Sequence, residues 1–97
     1  MGDVDVKAAG EHRYSASLTT AGGSRSEHVV TTDPQLLERL QATRAEEPIL
    51  VRRLLEVFVA AADQAERDGN PTAVPTLIDL GELDRERPDL LASLPLR

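Results

Sequence analysis

Hydrophobic and polar residues alternate in two stretches near the start of the chain and recur at helical spacing in one long stretch near its middle. Asp3 to Lys7 (DVDVK) puts Val4 and Val6 on one face and charged side chains on the other, the period of two that marks a strand with one wet face. It reads as an edge strand. After the turn-prone Ala9-Gly10-Glu11, His12 to Thr20 (HRYSASLTT) sets Tyr14, Ala16 and Leu18 against Arg13, Ser15, Ser17 and Thr19. Gly22-Gly23 suits a two-residue hairpin turn, because glycine takes a positive φ without steric cost, and Glu27 to Thr32 then returns antiparallel. A turn that tight places Val29 opposite Ala16.

The pattern switches to helix at Asp33-Pro34, where Asp33 can accept from orphan amides and Pro34 occupies the first helical position. A short helix to about Ala42 carries Leu36, Leu37 and Leu40 on one side. The polar Thr43 to Glu47 connects it to Pro48 to Arg67, the longest run able to form an amphipathic helix. At about 100° per residue, Val51, Leu54, Leu55, Ala62 and Ala65 fall within roughly 60° of Phe58. Leu50, Val57 and Ala61 extend the apolar arc to one side and Val59 to the other, so it approaches roughly 200° where a surface helix needs little more than about 100°. Those four residues form an expected flank for a protein partner or for a second copy, with a homodimer only slightly favoured over a monomer whose tail docks on the flank. Arg52 with Glu56 and Asp63 with Arg67 are spaced as i, i+4 pairs on the outer face. Gly69-Asn70-Pro71 ends the helix.

Beyond it, Pro71, Pro75, Pro88 and Pro95 cut the chain into short pieces. Thr76 to Leu80 (TLIDL) reads as a fourth strand or an extended segment, and Pro88 to Leu94 as a short helix carrying Leu90, Leu91 and Leu94. The expected fold is therefore α+β. Residues 1–70 form a three-stranded antiparallel meander covered by a short and a long helix, and residues 71–97 form a C-terminal extension that packs on this core or on a partner. Leu18, Tyr14, Val4, Val6, Leu54, Leu55 and Phe58 are the expected core.

Composition narrows the function classes. The 97 residues carry 17 acidic and 11 basic side chains, a net charge of −6, spread at about −2 over each third of the chain. A dispersed acidic surface disfavours phosphate contact, so nucleic acid is an unlikely partner of the isolated chain. Without cysteine there is no thiolate nucleophile and no cysteine-based zinc site, which suits a reducing cytoplasm. No continuous apolar run resembles a secretory signal or reaches the roughly 20 residues of a membrane span, so no membrane partner and a cytoplasmic location are expected.

Candidate chemistry is thin. Gly22-Gly23-Ser24 lacks the lysine of a phosphate loop and lies between strands. His12 and His28 sit on neighbouring strands, where they could act as an acid–base pair with a carboxylate such as Glu27 or Asp33, although surface strand residues are the simpler reading. Arg52-Arg53 could grip an anion, and Asp84-Arg85-Glu86-Arg87 could be a charged docking segment; a solvated helix face and a solvated loop are simpler. Ser15, Ser17, Ser24 and Ser26 form no nucleophile motif. No catalytic, metal or cofactor site is expected.

The segments RYSASLTTAGGSRSEHVVTTDPQLLERL, EEPILVRRLLEVFVAA and TLIDLGEL, in that order, resemble a group of small uncharacterised bacterial proteins. More distantly they resemble antitoxins of HicB type, whose small α/β domains bind a toxin partner. The resemblance implies a bacterial protein-binding domain and assigns no functional residue. The expected function is thus a non-enzymatic interaction module, antitoxin-like or an adaptor, acting on a protein partner or on itself. The rivals are a small ligand-binding domain or enzyme using His12 and His28, and a component of a transcriptional regulator.

Overall fold

The computed structural model describes residues 2–70 and 74–94. Strands β1 (Asp3–Gly10), β2 (Arg13–Thr19), β3 (Arg25–Thr31) and β4 (Leu77–Asp79) form one sheet in that spatial order. The first three make the antiparallel meander expected from the alternating segments, with β1 at an edge. β4 runs parallel to β3, so the chain between them must cross over the sheet. It does so as α1 (Pro34–Arg39), a single 3₁₀ turn (Arg44–Glu46) and α2 (Glu47–Arg67). Two short helices, α3 (Leu80–Glu86) and α4 (Pro88–Ala92), complete an α+β fold.

Local signals fix the helix ends. Asp33 caps α1 by accepting from the Leu36 amide at 2.8 Å, with Pro34 behind it. The polar connection between the helices is a capping box: Thr43 accepts from the Glu46 amide at 3.2 Å and its own amide donates to the Glu46 carboxylate at 2.8 Å. At the far end of α2, Gly69 takes φ +76° while its amide and that of Asn70 donate to the Glu66 and Ala65 carbonyls. Pro71 and Pro95, expected to break the chain, lie outside the described residues.

The register of the hairpin differs from expectation by one residue. Ala16 faces His28, not Val29. The loop is longer than Gly22-Gly23 because the Thr20 and Ser24 backbones bond across it at 2.9 Å and the Gly23 amide donates to Thr20. The Ala21 amide is also tied to the Asp63 carboxylate of α2 at 2.7 Å. A slip of one residue exchanges the two faces of a strand, so His28, Val30 and Thr32 point inward and Val29 outward.

The core joins Tyr14, Ala16, Leu18 and Val30 of the sheet to Leu50, Val51, Leu54 and Leu55 of α2 and to Leu36 and Leu37 of the α1 segment. Val4, Val6 and Phe58 are only half-buried against it, so the centre of the stripe on α2 lies at Leu54 rather than Phe58. Residues 74–94 contribute Ile78, Leu80 and Leu91 to the same core. Two residues of the expected flank on α2 lie inside the fold. Leu50 is fully buried in the cluster that holds those tail residues. Val59 is 5% exposed, with Gly2 passing so near that a Cβ there would lie 2.6 Å from the valine methyl. Only Val57 and Ala61 of the four remain exposed.

The segment Asp84 to Arg87, read as solvated loop, largely belongs to α3, which Asp79 caps through the Gly81 and Glu82 amides. Its Asp84 is buried and takes both ends of the Arg39 guanidinium, joining α3 to α1. Gly81 is needed where the two helices meet, since a Cβ there would sit 2.5 Å from the Asp33 carboxylate that caps α1. The two expected i, i+4 pairs on α2 do not form. Glu56 pairs with Arg53 at 3.3 Å, and Asp63 is turned toward Ala21.

Candidate functional site

The first residue of α2 is the hub of a buried polar cluster that gathers side chains from β2, from the β1–β2 turn and from the residue that follows β3. Glu47 is 4% exposed, yet it lies on the apolar side of its helix, where an ionised carboxylate survives only with several donors. It has three. The Tyr14 hydroxyl donates to Oε1 at 2.6 Å, and the Thr32 hydroxyl and His12 Nδ1 reach Oε2 at 3.0 and 2.7 Å. Because an ionised carboxylate only accepts, the proton between His12 and Glu47 sits on Nδ1, leaving Nε2 toward the surface.

Three strand features bring these donors together. Tyr14 occupies an inward position of the β2–β3 ladder, and Thr32 is buried just past the end of β3. His12 sits in the β1–β2 turn at φ +54°, a left-handed conformation that costs a non-glycine residue of order 1 kcal/mol or more. Its carbonyl accepts from the Thr32 amide at 2.9 Å, so the turn, the end of β3 and the start of α2 are locked at one point.

Burial alone would raise the Glu47 carboxyl, but the hydrogen bonds from Tyr14, His12 and Thr32, helped by the adjacent histidine, outweigh it and hold the group below the usual glutamate range. Burial, with the hydrogen bond to Glu47 and its negative charge, pushes the Tyr14 phenol well above its ordinary value, against the opposing charge of Arg44. A phenol whose folded-state pKa is raised contributes stability that is fully present below its unfolded value and lost as pH rises through the folded one. Tyr14 is the only tyrosine in the chain, so phenolate absorbance reports it alone. The absorbance is expected to stay flat past about pH 10 and to rise together with unfolding. In Glu47→Gln the rise should move to lower pH but remain late, because burial is the largest cause.

Beside this cluster, between β1 and the first turns of α2, lies an open cleft of about 460 Å³. Val6, Ala8, Pro48 and Ile49 supply apolar walls, and His12, Tyr14 and Glu47 form its polar end. Arg44 and Arg52 also line it, with Glu11 at the turn. Among the described residues neither arginine has an ion-pair partner, although the chain carries an excess of carboxylates.

The two histidines are not brought together. His28 is 3% exposed and both its ring nitrogens are engaged, Nδ1 with the Pro75 carbonyl and Nε2 with the Ser26 hydroxyl, each at 2.6 Å. It fastens the segment that precedes β4 and does not line the cleft. Neither proposed carboxylate joins a histidine in that cleft. Glu27 is exposed, bonded to Ser17 and Arg25, and Asp33 caps α1. Of Arg52-Arg53, Arg52 faces the cleft and Arg53 pairs with Glu56. Among the described residues no three histidines, cysteines or carboxylates gather as metal ligands, and no helix is long and apolar enough to cross a membrane.

Glu47, Thr32 and Arg44 were not recognised from the sequence as site residues. A usable signal exists for Glu47. It precedes Phe58 by eleven positions, about 20° from it around the helix, so it is a carboxylate on the buried stripe and requires partners. No family model, no curated protein and no solved structure matches this chain.

Proposed function

We propose that the chain is a non-enzymatic interaction module that holds a protein partner in the cleft between β1 and α2. The observation that carries this reading is the pair of unpartnered arginines, Arg44 and Arg52, over apolar walls in a chain of net charge −6. Such a pair is a recognition feature for an anionic group, since neither guanidinium is committed to an ion pair among the described residues. The neighbouring cluster supports binding over catalysis. The Glu47 oxygens are taken by three donors, and the Tyr14 phenol is held neutral, so neither is poised to accept a substrate proton. A cytoplasmic setting accords with the absence of cysteine. The cleft volume also falls in the range of small-molecule sites, which keeps an anionic ligand as the second reading.

Affinity capture from the cells that express the chain, followed by mass spectrometry, tests this. A partner held by the wild type is expected to be lost in Arg44→Glu/Arg52→Glu and kept in Val57→Glu. The converse result would move the interface to the exposed strip of α2. A turnover activity that disappears in a folded His12→Gln variant would replace the module by an enzyme.

A further inference from the structure

We infer that the partner element is an extended acidic peptide that adds to the free edge of β1, with an apolar side chain in the cleft and a carboxylate side chain two residues away meeting Arg44 and Arg52. The inference rests on the cleft being the interaction site. Three observations carry it beyond that reading.

First, β1 is long and open. It has eight residues, among the described residues it is bonded on one side only, to β2, and it forms one wall of the cleft. An edge strand of that length presents alternating amides and carbonyls that an extended peptide can satisfy. The opposite edge, β4, has three residues and offers much less.

Second, the wall side chains set the character of the peptide. Val6 and Ala8 lie opposite Ala16 and Tyr14, on the covered face of the sheet, and Ile49 faces them from α2 with 40% of its surface exposed. An added strand sends every second side chain into this space. One of these is apolar, to cover Ile49, and the next on the same face is acidic, because the cleft then offers two guanidiniums.

Third, the same spacing argues against a second copy of β1. Its acids and valines alternate, so in Asp3-Val4-Asp5-Val6 the residues that share a face are either both apolar or both acidic. A copy that buried Val4 and Val6 in the cleft would leave Arg44 and Arg52 unmet. A partner with an apolar residue and a carboxylate two positions apart meets both demands.

The test is fluorescence polarisation with a short labelled peptide of serine and threonine that carries one valine and, two positions on, one glutamate. The full chain is expected to bind it, with affinity falling as salt rises. Glutamine in place of glutamate should weaken binding roughly tenfold or more, as should Arg44→Glu or Arg52→Glu in chains whose melting is unchanged. Methylating alternate peptide amides should abolish binding in one phase and spare it in the other, as only strand addition requires. Equal binding of the glutamine peptide, equal effects of the two methylation phases, or absence of binding by every peptide would overturn the inference. So would sedimentation as a dimer that dissociates in Val6→Lys. Partner capture that still depends on Arg44 and Arg52, with no peptide bound, removes the strand-addition inference alone. Capture that ignores both arginines removes the cleft reading itself.

Discussion

Replacing Glu47 by alanine is expected to cost about 3 kcal/mol or more, a large part of the roughly 5–15 kcal/mol available to a small domain. The loss comes from what remains. Tyr14 and Thr32 would keep buried hydroxyl donors without their acceptor, and His12 would keep a left-handed backbone without the bond that compensates it. Glu47→Gln should cost less, about 1–2 kcal/mol, since its carbonyl still serves Tyr14 while its NH₂ faces two donors. The pH dependence separates this from simple loss of packing. With its folded-state pKa depressed, Glu47 contributes stability that is present above its unfolded value and lost as pH falls through the folded one. The resistance of the wild type to urea should therefore fall as pH drops below about 4, and the Glu47→Gln variant should show a shallower acid limb. Parallel acid limbs in the two proteins would mean that the carboxylate is not held by its three donors.

What the sequence disclosed about this fold follows from how unambiguous each local pattern is. β1 and β2 each have one wet face, so their inward residues could be read directly. β3 contains Val29 and Val30 side by side, which gives no parity, and its register is set by loop bonds to Thr20 and Asp63 that no local rule foretells. The existence of α2 was plain, but its rotation was not, because an apolar arc of roughly 200° fits several orientations equally well. Leu50 proves to lie fully buried in the core cluster that also holds Ile78, Leu80 and Leu91.

The candidate site was legible only in fragments. His12 and Tyr14 stood out as a titratable residue and a rare aromatic, yet their shared partner lies 35 and 33 positions away. Glu47 looked like a carboxylate that merely suits the first turn of a helix, whereas its position on the buried stripe was the informative fact. Arg52 was visible beside Arg53, but which of the two lacks a carboxylate depends on the rotation of α2. Arg53 reaches Glu56, and Arg52 turns toward β1.

That rotation makes the second large effect specific. Leu54→Ala is expected to cost about 3–5 kcal/mol, because Leu54 is fully buried, and truncation there removes its transfer energy and leaves a cavity between the helix and the sheet. Phe58 would be the costlier truncation if it faced the core squarely. It is instead half-buried, against a shallow groove lined by Pro75, Ile78 and Leu83, where the side chain already meets solvent and the gap can partly fill. Phe58→Ala should therefore cost only about 2 kcal/mol, less than the smaller leucine. Urea midpoints compared at unchanged m values give both numbers. A Phe58→Ala variant less stable than Leu54→Ala would place the centre of the stripe at Phe58, turn α2 by about 40° about its axis, and carry Arg52 out of the cleft with it.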